Sequence, residues 1–157
     1  MKVAITGATG SLGTALIQAL ATRPAVTRIV ALSRDEVKSG DLAEQFAHVG
    51  VLRCMLGDVR DLTRLNQVLR GCDTVIHAAA LKRITQSVYS PSELIKTNIL
   101  GTMNVIQAAT DVGVHRVLVI SSDKAVEAVN LYGMTKAVAE SYAVQSNSYA
   151  YPRRTRV

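Results

Sequence analysis

The side chains best suited to chemistry lie in one stretch, Ser121-Ser122-Asp123-Lys124 followed by Tyr132-Gly133-Met134-Thr135-Lys136. A tyrosine and a lysine four residues apart share one face of a helix. A phenol is a poor base at neutral pH, but an adjacent ammonium favours its ionised form. Tyr132 with Lys136, and Ser122 to hold a substrate oxygen, therefore suits taking the proton from an alcohol as its carbon is oxidised.

Such an oxidation needs an electron acceptor, and the other end of the chain offers a place for one. Gly7-Ala8-Thr9-Gly10-Ser11-Leu12-Gly13 has a G-x-x-G-x-x-G spacing between an apolar run and a helical period. Gly7 suits a tight turn, Gly10 admits a pyrophosphate to the backbone, and Gly13 allows close helix–strand packing. Thr9, Ser11 and Leu12 fall within the same turn, and the helix start favours an anion. The position after the second strand discriminates between cofactors: a carboxylate there suits NAD, whereas an arginine suits the extra phosphate of NADP. Ser33-Arg34, with Lys38 four residues on, favours NADP over NAD, although Asp35 follows directly. Asp58 and Val59 after the third strand suit an adenine. Ala78, Ala79 and Ala80 after the fourth leave room for a ligand to lie against the backbone. His77 reads as a packed residue rather than an acid–base group.

The elements that must position these residues alternate regularly. Strands are expected at 2–6, 28–33, 51–56, 74–77 and 116–120. Helices are expected at 11–21, 35–47, from an Asp61 cap to Leu69, 91–112 and 132–146. This alternation implies an α/β fold, a doubly wound, Rossmann-like parallel sheet with helices on both faces. Arg154-Thr155-Arg156-Val157 reads as the start of a sixth strand, and residues 1–157 are expected to be an NADP-binding domain.

Composition agrees with one folded domain: 157 residues, 48% hydrophobic and 19% charged. The formal charge of +6 suggests nucleic acid, but half of that excess is Arg153, Arg154 and Arg156 in the last five positions. With no tryptophan and a single phenylalanine there is no stacking platform, so nucleic-acid binding is not expected. The apolar runs are far shorter than a bilayer requires. Cys54 and Cys72, each in an apolar stretch, read as reduced core residues of a cytoplasmic protein, and no metal site is expected.

Taken together, Gly7/Gly10/Gly13, Ser122, Tyr132 and Lys136 resemble the extended branch of the short-chain dehydrogenase/reductase superfamily. Five segments narrow the likeness: Leu32-Ser33-Arg34-Asp35-Glu36, His77 to Lys82, Ile95-Lys96-Thr97-Asn98, Ser122-Asp123-Lys124-Ala125-Val126 and Asn130-Leu131-Tyr132-Gly133. They are similar to UDP-N-acetylglucosamine 4,6-dehydratases of the polysaccharide-biosynthesis group, including the inverting type. The resemblance implies a UDP-sugar substrate and a C-terminal substrate domain that residues 1–157 lack, and it adds Lys82 and Asn98 to the cofactor-binding set. It also implies catalytic roles for Asp123 and Lys124: Lys124 as the base at sugar carbon 5 and Asp123 as the acid that helps water leave carbon 6.

The chain departs from that family in three places. Ser122 stands where threonine is usual, Glu127-Ala128 where Asn-Pro is common, and Arg83-Ile84-Thr85 where a His-Val-Pro-like stretch is common. A nucleotide-sugar 4-epimerase or reductase, or a silent NADP-binding module, are the alternatives. The resemblance also implies a homo-oligomer paired through the two long helices, with Val105, Ile106, Val138 and Tyr142 either at that interface or in the buried core.

Overall fold

The computed structural model describes residues 1–82, 89–148 and 155–157. The five strands are β1 (Lys2–Thr6), β2 (Arg28–Ser33), β3 (Leu52–Leu56), β4 (Thr74–His77) and β5 (Arg116–Val119). The helices are α1 (Ser11–Ala21), α2 (Glu36–Gln45), α3 (Leu62–Leu69), α4 (Pro91–Leu94), α5 (Gly101–Asp111) and α6 (Leu131–Ser146). The strands form one sheet in the order β3-β2-β1-β4-β5, and every pairing is parallel.

Successive strand residues point to opposite faces, so both faces must be apolar. On one face Val3, Ile5 and Ile29 pack with Ile17 of α1 and with Leu42 and Phe46 at α2. On the other, Ala4, Val30 and Val75 pack with Leu65 of α3 and with Val105 and Ile106 of α5. The chain builds outward from β1 to β3, then crosses to the far side of β1 to lay down β4 and β5. The connections that follow β1 and β4 lead to helices on opposite faces of the sheet, which leaves a crevice at the strand ends.

Several boundaries differ from the sequence expectation. Asp35 stands outside α2 as its cap, its carboxylate accepting from Lys38 N. Asp61 caps α3 the same way, as expected, accepting from Arg64 N. The expected single helix over 91–112 is interrupted by a π-helical turn, Ile95–Leu100, where Gly101 N–H donates to Lys96 O five residues back. Gly101 also lies against Val59, where a Cβ would come within 2.7 Å of Cγ2. Val105 and Ile106 are fully buried, which decides for core over interface at these two positions. Tyr142 packs partly against the same core, and Val138 is exposed. At the tail, Arg156 bridges Arg116 in parallel beside β5, and Thr155 is buried with its hydroxyl on Val114 O. Arg83, Ile84, Thr85, Arg153 and Arg154 lie outside the described residues. No helix among the described residues is long and apolar enough to cross a membrane.

Candidate functional site

A cavity of about 650 Å³ opens where all five strands end, walled by the segments that follow β1, β2, β3, β4 and β5. Gly7, Thr9, Gly10, Ser11, Leu12 and Gly13 form its floor. Gly7 has φ 69°, and a Cβ there would stand 2.7 Å from Ala79 N, so only glycine lets the two loops meet. Gly10 caps α1 without a side-chain hydrogen bond, and no acidic residue occupies the first turn. The first amides of α1 therefore remain available to an anion.

At the β2 end, Ser33 Oγ accepts from Asp35 N at 3.2 Å and shares a 3.0 Å bond with Thr9 Oγ1. The Asp35 carboxylate is committed to α2: it accepts from Lys38 N at 3.0 Å and pairs with Lys38 Nζ at 3.6 Å. That backbone bond is the main reason its carboxyl is held below the ordinary range. Arg34 and Lys38 both line the cavity and are exposed. At the β3 end, Asp58 and Val59 line the wall. Partial burial opposes ionisation of Asp58, but hydrogen bonds from Arg60 outweigh it and hold the carboxyl low. Arg60 Nη2 approaches to 2.6 Å, and its Nη1 reaches Glu93 of α4 at 2.5 Å.

At the β4 end, Ala78, Ala79, Ala80 and Lys82 line the wall. Asn98 does not: its amide is buried, accepting from Leu81 N at 2.8 Å and donating to Leu81 O and Thr135 Oγ1 at 3.0 Å. Its neighbour Thr97 reaches the cavity instead. His77 is packed, as expected.

At the β5 end, Ser122, Lys124, Tyr132 and Lys136 all line the cavity. Ser122 caps a short 3₁₀ turn, Asp123–Ala125, accepting from Lys124 N at 3.3 Å and donating to Asp123 Oδ1 at 3.0 Å. Lys136 is 5% exposed and its Nζ donates to Ile120 O. Burial lowers its pKa, partly offset by the Glu140 carboxylate. Asp123 lies off the wall, its side chain 86% exposed and 3.5 Å from Lys124 Nζ. Ser122 and then Lys124 hold its carboxyl low.

Thr97, Leu81, Ile120 and Ser121, given no site role from the sequence, are also on the wall. Each adjoins a motif residue, so a wider reading of strand ends would have reached Leu81, Ile120 and Ser121. Thr97 depends on the π turn, which periodicity does not announce. Among the described residues no group of three or more His, Cys, Asp or Glu side chains is placed to hold a metal ion.

A doubly wound parallel sheet with this glycine turn has the Rossmann-like fold of the short-chain dehydrogenase/reductase class. The uncapped amides at α1 and the bare Gly7–Ala79 contact fit a pyrophosphate. The chain belongs to the polysaccharide biosynthesis protein family, which it matches over residues 3–157. It is 42% identical over 155 residues to the inverting UDP-N-acetylglucosamine 4,6-dehydratase of Campylobacter jejuni, covering 99% of this chain and 46% of that protein. It is 38% identical over 154 residues to a UDP-glucose 4-epimerase of Rickettsia massiliae, covering 96% of this chain and 45% of that one. Among solved structures, Pen from Bacillus thuringiensis superposes with a TM-score of 0.91 at 34% identity, over 98% of this chain and 47% of that one. The dTDP-glucose 4,6-dehydratase DesIV of Streptomyces venezuelae, solved with NAD bound, gives 0.83 at 26% identity, over 94% and 52%. The chain thus spans about half the length of the relatives it matches.

Proposed function

We propose that this chain is the cofactor-binding and catalytic half of an NADP-dependent UDP-N-acetylglucosamine 4,6-dehydratase of surface polysaccharide biosynthesis. The observation that carries the reading is Lys124 lining the same cavity as Ser122, Tyr132 and Lys136. A 4-epimerase needs one redox centre, whereas loss of water needs a further base, which Lys124 would supply.

When bound, the dinucleotide supplies oxidation at sugar carbon 4 and the matching reduction at carbon 6. Its pyrophosphate would lie on Gly10 to Gly13, and Ala78 to Ala80 would back the ring end. Arg34 and Lys38 would hold the phosphate that distinguishes NADP, since Asp35, the carboxylate nearest in sequence, is spent on capping α2. Ser122 would hold the carbon-4 oxygen while Tyr132 takes its proton, with the Lys136 ammonium stabilising the phenolate. The ketone so formed acidifies carbon 5, and Lys124 takes that proton. Asp123 would protonate the departing carbon-6 hydroxyl. To do so it must leave its ionised state, and a substrate that takes over the Ser122 hydroxyl removes the largest influence keeping it ionised. Asn98 would act indirectly, by holding Leu81 and α6 in place.

The test is incubation of the chain with UDP-N-acetylglucosamine and NADP, followed by NMR of the sugar. A 4-keto-6-deoxy product, lost in Lys124→Ala while NADP binding persists, is expected. Turnover is expected to be slow, because the chain covers 46% of the dehydratase it resembles. An epimer without dehydration supports the second reading, which the Rickettsia relative favours. Free Cys54 and Cys72 fit a cytoplasmic setting. Exposed Val138 and Met134 on α6 fit pairing with a second copy.

A further inference from the structure

His77 takes no part in these steps, yet it is fully buried on the last rung between β1 and β4, paired with Thr6. Its Nδ1 lies 2.7 Å from Thr6 Oγ1 and its Nε2 lies 3.0 Å from Thr102 Oγ1. The protons can be assigned by elimination, because a hydroxyl has one hydrogen to give. Thr102 gives its hydrogen to Asn98 O at 2.7 Å, so it accepts from His77, and Nε2 carries the ring proton. Nδ1 is then an acceptor, and Thr6 donates to it. Thr6 Oγ1, its own hydrogen used, accepts from Ala79 N–H at 3.3 Å. One directed chain runs from the Ala79 amide through Thr6, the imidazole and Thr102 to the Asn98 carbonyl, with a partner for each polar atom.

Both ends of this chain serve the cavity. Ala79 stands on the wall against the glycine turn. Asn98 holds Leu81 and bonds Thr135, whose hydroxyl donates to Tyr132 O in α6. We propose that His77 is a positioning residue: by accepting from Thr6 it fixes Ala78–Ala80 against the glycine turn and sets the crevice in which a dinucleotide lies. The proposal rests on reading the cavity as a dinucleotide site. Burial, with the Lys136 charge behind it, pushes the ring pKa down to about 3. The ring is thus neutral at pH 7 and keeps its acceptor. An imidazolium, donor at both nitrogens, would turn the Thr6 hydroxyl away.

Two variants of the full chain separate the nitrogens. His77→Asn retains an acceptor near the Nδ1 position, whereas His77→Gln retains a donor near Nε2 and loses the acceptor for Thr6. Both are expected to lower the thermal midpoint. NADP affinity, measured by calorimetric titration, is expected to fall about tenfold in the glutamine variant, the equivalent of one buried hydrogen bond, and to stay within about threefold in the asparagine variant. Equal losses in the two, or losses that follow only the thermal midpoint, overturn the proposal. In the unliganded wild type, ¹⁵N NMR at pH 7 is expected to show the neutral Nε2–H tautomer. An Nδ1–H tautomer or an imidazolium overturns it as well. A wild type that binds no dinucleotide brings down the cavity reading and this proposal together, whereas a wild type that binds, with variants out of pattern, brings down only this one.

Discussion

The proposed preference for NADP rests on Arg34 and Lys38. Asp35, which could bind ribose hydroxyls in an NAD site, lines the cavity beside Arg34 and Lys38, but its carboxylate is engaged by Lys38 N and Lys38 Nζ. Arg34→Ala is expected to weaken NADP by about 10- to 100-fold, the worth of a charge-assisted contact, and to leave NAD affinity unchanged in parallel titrations. A second residue-scale consequence concerns Glu127, which has φ 46°. A left-handed residue with a Cβ costs about 1–2 kcal/mol, and asparagine tolerates that region better than glutamate. Glu127→Asn, which restores the residue common in the family at this position, is expected to raise the urea midpoint by the equivalent of about 0.5 kcal/mol. An unchanged midpoint would show that the strain is not real.

At the scale of elements, the reactive cluster depends on how closely the 3₁₀ turn Asp123–Ala125 lies on α6. A Cβ at Gly133 would fall 2.1 Å from the Lys124 carbonyl oxygen, a backbone atom that cannot swing aside. Gly133→Ala is expected to cost about 1–3 kcal/mol by overpacking. That predicts a thermal midpoint lower by about 2–10 °C for a domain of this size. The same change pushes Lys124 off its wall, so dehydration should fall further than NADP affinity, which rests on the distant glycine turn. Equal loss of both would mean that the whole fold is disturbed instead. The π turn is the other decisive element. Its extra residue lets Asn98 face Leu81 and Thr135 while Thr97 faces the cavity, an arrangement that a regular helix over 91–112 would not give.

For the molecule as a whole, stability should depend on pH through its buried histidine. The folded-state pKa of His77 is about 3 against 6.5 unfolded, so below pH 6.5 the unfolded chain binds a proton that the folded chain refuses. Stability is therefore full above that value and falls as pH drops, by about 1.4 kcal/mol per unit from this group. The carboxylates held low, Asp58 and Glu93 among them, act in the same direction but only nearer their own ordinary range. Urea midpoints at pH 7 and pH 5.2 should differ in the wild type and nearly coincide in His77→Asn. A wild type insensitive over that window would mean that the ring is not buried neutral.

Much of this was legible in the sequence because it is local. The alternation of strands and helices follows from hydrophobic period, and the glycine turn from spacing between one strand and one helix. The pairing of Tyr132 with Lys136 follows from one turn of helix. The tail was expected to begin a sixth strand, and among the described residues it makes one isolated bridge, Arg156 to Arg116. What only the tertiary structure decided depends on contacts distant along the chain. That the Asp35 carboxylate is engaged as the cap of α2, and that Asp123 turns to solvent beside Lys124, spacing does not say. Asn98 looks like a wall residue until the π turn buries it. His77 reads as mere packing until Thr6 and Thr102, 71 and 25 residues away, fix which of its nitrogens holds the proton. Spacing shows which residues can share a face, but the partner that uses up each lone pair and proton comes from elsewhere in the chain, and only folding brings it there.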